Sequence, residues 1–189
     1  MKANSTLILT SIFWLSITSC GGSAGNQPAT AAGFSDIEQE IISKFGEDAY
    51  FTDISLTYDK SVGNIIGVTV TEDPETLRME QWNQMKGYWK QNSEISLEVP
   101  KESKAKDFMY QLGREISMSV LGGLVEEAKA KLKTERNQQN STLKEAFILF
   151  PDNGEISRTK YSINLQPKNG GTKFNFLYDL NGKLIKMDY

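Results

Sequence analysis

The sequence predicts an α+β fold in which a helix packs on an antiparallel sheet, with that unit occurring twice in tandem. Two stretches place apolar residues at helical spacing, and the stretch after each alternates apolar with polar residues between turn signals. Near the end, Asn181-Gly182 separates two alternating segments, the dipeptide that most strongly favours a tight antiparallel hairpin. The expected order is helix, about four strands, long helix, and a four-stranded meander.

The first helix is expected over 36–45. Ser35 and Glu38 have capping-box spacing, Ile37, Ile41, Ile42 and Phe45 share one face, and Gly46 stops the run. Ile54, Leu56 and Tyr58 then alternate, as do Ile66, Val68 and Val70, with the polar "DKSVGN" turning between them. A second hairpin is read over 76–99: Trp82 and Trp89 flank a Lys86-Gly87 turn, and Ile95, Leu97 and Val99 alternate up to Pro100. The long helix is expected from Lys104 to about Arg136, because Phe108, Leu112, Ile116, Val120, Leu124, Ala128 and Leu132 recur every fourth residue. Gly122 and Gly123 interrupt it and imply a kink or a close helix-sheet contact. The last strands are "AFILF", "ISRTKYSINL", "FNFLYDL" and "KLIKMDY", separated by "PDNG", "PKNGG" and "NG".

Composition excludes several chemistries. None of the 189 residues is histidine and one is cysteine, which removes the usual neutral-pH general base, Ser-His and Cys-His nucleophile pairs, thiolate metal sites and internal disulfides. The net charge is -3, and no run of five or more Lys/Arg occurs, so nucleic acid is not an expected partner. No P-loop, dinucleotide fingerprint or serine-nucleophile elbow is present, and no cofactor is expected.

The N-terminal residues carry the most specific signal. Residues 7–17, "LILTSIFWLSI", are an apolar run of eleven, short of the ~20 needed to span a bilayer and within the ~7 to 15 of a signal-peptide core. The run ends in Ile17-Thr18-Ser19-Cys20, an aliphatic residue, two small residues and the only cysteine. This pattern resembles the lipobox of bacterial lipoproteins. The resemblance implies diacylglycerol transfer to the Cys20 sulfur, cleavage before Cys20, and a mature chain anchored to a membrane by lipid. The absence of an acid directly after Cys20 favours, by likeness to enterobacterial sorting, the outer membrane over retention at the inner one. Residues 1–19 then read as signal peptide, 20–33 as lipidated cysteine and flexible linker, and 34–189 as the globular domain, with a possible pseudo-repeat 34–100 and 101–189. In its tandem helix-on-sheet arrangement the domain is similar to PepSY-like and β-lactamase-inhibitor-like proteins, which bind other proteins; the likeness concerns fold.

Among candidate sites, Trp82, Tyr88 and Trp89 lie close together with Gln84, Lys86 and Lys90. Such a set either stacks on sugar rings or anchors a protein interface, or it closes one end of the sheet core, and the burial habit of Trp favours the core. The carboxylates Glu72, Asp73, Glu75 and Glu80 form one stretch; Glu126 and Glu127 sit on the expected long helix beside Lys129 and Lys131, where they read as a solvated face. Neither "DPETLRMEQ" nor "DLNGKL" has EF-hand ligand spacing. The expectation is a noncatalytic, lipid-anchored envelope protein that binds an envelope protein or polysaccharide, or serves as an accessory subunit. The alternative is an envelope hydrolase that works through carboxylates without histidine.

Overall fold

The computed structural model describes residues 24–189, so Cys20 and the apolar run lie outside the described residues. Eight antiparallel strands form one sheet in the order β4-β3-β2-β1-β5-β6-β7-β8. The strands are β1 (Tyr50–Asp59), β2 (Gly63–Thr71), β3 (Arg78–Met85), β4 (Tyr88–Ser96), β5 (Ser141–Leu149), β6 (Lys160–Pro167), β7 (Phe174–Asp179) and β8 (Leu184–Asp188). Two helices, α1 (Ala31–Phe45) and α2 (Met118–Glu135), precede β1 and β5. The architecture is therefore α+β, a strand-rich sheet with both helices against one face.

Alternation decides which face that is. Ile54, Leu56, Ile66, Val68, Ala146, Ile148, Tyr161, Ile163, Phe176 and Tyr178 are buried in one core with Phe34, Ile37 and Ile41 of α1 and Leu121, Val125 and Leu132 of α2. The central pairing of β1 with β5 sets Ile54 beside Ile148 and Leu56 beside Ala146, so the core crosses the middle of the sheet without a break. At the β3 side α1 is held by a polar contact as well: buried Gln84 donates its Nε2 to Glu40 at 2.6 Å.

The helices differ from the sequence reading in both start points. α1 begins at Ala31, because Thr30 serves as the N-cap, its hydroxyl accepting from the Gly33 N–H at 3.2 Å. The folded body therefore starts ahead of residue 34, inside the stretch expected as linker: Gly25 and Gly33 are buried, and Asn64 donates its side-chain amide to the Gln27 carbonyl at 2.9 Å.

α2 begins at Met118 instead of Lys104. Residues Ala105–Phe108 form a 3-10 turn, and Tyr110 exchanges backbone hydrogen bonds with Phe51 at 2.8 and 2.9 Å, which no helix could allow. Gly113 at φ +76° then reverses the chain before the Ser117 N-cap. The segment instead crosses the end of the sheet, with Met109 buried on one side and Tyr110 on the other.

Gly122 marks a close approach of helix to helix, and α2 continues through it to Glu135, where the sequence implies a kink or a close helix-sheet contact. A Cβ added there would lie 2.4 Å from the Thr30 carbonyl oxygen and 2.8 Å from Phe34 Cβ. The helices run antiparallel, with Gly122 of α2 against the first turn of α1 and Glu38 of α1 against the start of α2.

The hairpin at Asn181-Gly182 forms as expected: the Asp179 carboxylate accepts from the Asn181 and Lys183 N–H groups at 3.0 and 2.9 Å. The second hairpin also forms, and its first arm is β3.

Candidate binding surface

The face of the sheet turned away from the helices is built directly by strand register. Near one edge, Ile65 of β2 pairs with Met85 of β3, and Met85 pairs with Tyr88 of β4. All three side chains point outward; Tyr88 is 80% exposed and Met85 47%. Toward the centre, Ser55 and Thr57 of β1 neighbour Phe147 and Glu145 of β5, and Ser162 and Asn164 of β6 follow. Leu177 of β7 pairs with Ser162. The surface thus mixes half-buried apolar groups with hydroxyls and amides.

Several polar groups on it are already fixed in place. Asn164 donates its Nδ2 to Glu145 at 2.8 Å, and Ser93 donates its hydroxyl to Gln81 at 2.7 Å, both across adjacent strands. Gly67 occupies an outward position, and a Cβ there would meet Ser55 Oγ at 2.7 Å. One corner is covered: Met79, Ala105 and Met109 are buried together there, with Tyr50, Leu77, Ile95 and Leu97 around them. Among the described residues the Ile65–Met85–Tyr88 corner has no such cover.

The three aromatic residues singled out from sequence do not share a surface. Trp82 and Trp89 are half-buried on the helix side, each edge-on to Phe45 of α1 with ring centroids 5.8 and 5.1 Å away. Lys44 lies 4.5 Å from the Trp82 ring centroid, and the indole N–H donates to Glu80 at 2.8 Å. Trp82 and Trp89 close the core at its β3–β4 edge, whereas Tyr88 projects from the opposite face. Adjacent positions on a strand point to opposite sides, so Tyr88 and Trp89 could not act together.

The carboxylates divide as well. Glu72, Asp73, Glu80 and Glu94 line a recess of about 370 Å³ with Phe45, Val70 and Arg78. Glu80 and Glu94 face each other in register, an arrangement of like charges that costs stability. Among the described residues no group of three or more His, Cys, Asp or Glu side chains is placed to hold a metal. Glu126 is exposed, as expected of a solvated face, and its carboxylate also accepts from the Ala31 N–H of α1 at 2.9 Å. Burial pushes the Asp53 carboxyl above its ordinary value, and burial followed by the Asp53 charge raises the Tyr110 phenol well above its own.

No family model, curated protein or solved structure matches this chain.

Proposed function

We propose that the protein is a noncatalytic, lipid-anchored exported protein of the bacterial envelope, tethered through Cys20, that binds an envelope protein or polysaccharide on the open face of its sheet. The observation that carries the reading is the meeting of an eleven-residue apolar run with Ile17-Thr18-Ser19-Cys20 in a chain with no other cysteine. Lipid on that sulfur gives the protein its place; each buried CH2 contributes about 0.8 kcal/mol, and two or more chains make the attachment lasting. The outer membrane is the expected site.

The binding role draws on the Ile65–Met85–Tyr88 corner, where an exposed tyrosine at the start of the edge strand β4 stands next to apolar neighbours. We also read the body as a tandem duplication, each half a helix followed by four strands. In support, β1 and β5 meet at the centre, and each helix offers one carboxylate to the other's first turn. The test has two arms. Labelled fatty acid is expected on the wild-type chain and absent from Cys20→Ala. A photo-crosslinker at Tyr88 is expected to capture one partner in intact cells, while the same group at Lys183, at the far end of the sheet, captures none. Label on Cys20→Ala sinks the anchor; equal capture at both positions sinks the binding face.

A further inference from the structure

The charge of the body is separated along the strand direction. At one end the sheet turns at 59–63, 86–87 and 167–173, α2 runs out at Glu135, and β8 stops at Asp188. These segments with 133–140 carry Lys60, Lys86, Lys133, Arg136, Lys168 and Lys173 against three acids, Asp59, Glu135 and Asp188. All six bases are exposed. Glu135 and Asp188 are each bonded to a further lysine, Lys131 at 2.6 Å and Lys186 at 2.7 Å, so the end is more basic still. At the other end, segments 46–49, 72–77, 97–108, 113–116, 150–159 and 180–183 hold eleven acids and six bases. An acidic protein of pI ≈ 5.2 thus has one basic pole.

The chain enters at that pole. A Cβ on Gly63 would lie 2.2 Å from the Gly25 carbonyl oxygen, and Asn64 binds the Gln27 carbonyl, so residues 25–27 are pinned against the β1–β2 turn. From Cys20 to Ala24 are four steps of chain, which reach at most about 14 Å. A lipid on Cys20 would hold the basic pole within roughly one or two Debye lengths of the headgroups.

We propose that this pole seats on anionic phospholipid, so that the strands stand up from the bilayer and the open sheet face is presented sideways, with the Ile65–Met85–Tyr88 corner at its membrane-proximal edge beside the 86–87 turn. The inference rests on the Cys20 anchor for its nearness to the membrane, but the electrostatic contact itself does not need the lipid. Lys and Arg are drawn to the negative surface, and the acidic pole is repelled from it; both effects favour the same orientation.

The test uses the full chain carrying Cys20→Ala, floated with vesicles of pure phosphatidylcholine or of phosphatidylcholine with 30% phosphatidylglycerol. Residues 7–17 partition into either bilayer, so the reading is the ratio of bound fractions at low salt and at 0.5 M NaCl. A preference for the anionic vesicles of at least about tenfold is expected, lost in high salt and lost on Lys60→Glu/Lys86→Glu/Lys168→Glu/Lys173→Glu. The opposite-pole reversal Lys101→Glu/Lys104→Glu/Lys106→Glu is expected to retain it, with circular dichroism confirming that both variants fold. No anionic preference, or equal loss in the two variants, overturns the proposal. The fatty-acid labelling decides the anchor separately.

Discussion

The carboxylate of Glu38 on α1 accepts the backbone N–H of Met118, the first residue of α2, at 2.6 Å. Helix starts leave such donors unpaired, and a negative group there also complements the helix dipole. Glu126 returns the contact from α2 to Ala31 of α1. Glu38 is 8% exposed, so removing its acceptor strands a donor away from water. Glu38→Ala is expected to cost about 2 kcal/mol in urea denaturation, and Glu38→Gln, which keeps an acceptor, less than about 1 kcal/mol. Equal losses would show that packing, not the hydrogen bond, is what Glu38 supplies.

Neighbouring glycines of α2 should respond with opposite sign. Gly122→Ala forces a methyl into the Thr30 carbonyl and is expected to destabilise by about 2 kcal/mol. The nearest atom to a Cβ on Gly123 is Ala31 Cβ at 4.0 Å, so Gly123→Ala is expected to gain about 0.5–1 kcal/mol from helix propensity. Thermal melts of the two variants side by side check both, and a tolerated Gly122→Ala would contradict the close helix contact.

The aromatic pair at 88 and 89 separates binding from stability. Trp89→Ala opens the contact with Phe45 and is expected to cost about 2 kcal/mol, below the value for a fully buried ring because Trp89 is half-exposed. Tyr88→Ala, at an exposed site, is expected to change stability by no more than about 0.5 kcal/mol while weakening capture of the partner. A large stability loss from Tyr88→Ala would place that ring in the core.

Asp53 supplies a pH dependence. Burial raises its folded-state value above the ordinary 3.8, so the folded protein holds that proton more tightly than the unfolded chain. The penalty is absent below the unfolded value, grows as pH rises through the raised one, and is complete at neutrality. Asp53→Asn is therefore expected to raise the melting temperature at pH 7 and leave it unchanged near pH 3. The gain is at most about 1 kcal/mol, because the burial is partial and water still reaches and screens the carboxylate. An equal shift at both pH values would show that ionisation is not responsible.

What the sequence reveals is local. Ile54 and Leu56, or Phe174, Phe176 and Tyr178, point inward because period-two alternation is written into consecutive residues, and Asn181-Gly182 specifies its turn without help from the rest of the chain. What it conceals is long-range. Phe108, Leu112 and Ile116 keep helical spacing, yet pairing of Tyr110 with Phe51, 59 positions away in the chain, holds the segment extended. The contributions of Glu38 and Glu126 depend on two helices meeting, and a charge beside lysines carries no mark of that. The start of α1 at Ala31, behind the Thr30 cap, was hidden by small residues that read equally as tether, since Thr can cap a helix and Ala can propagate one while both also suit a coil. The Ile65–Met85–Tyr88 corner required strand register, which composition does not supply.

The most direct test of the central claim is mass spectrometry of the N-terminal peptide of the protein purified from its native membrane. The account predicts a chain beginning at Cys20 with diacylglycerol on its sulfur. An unmodified thiol at that position, or a chain beginning at any other residue, would contradict it.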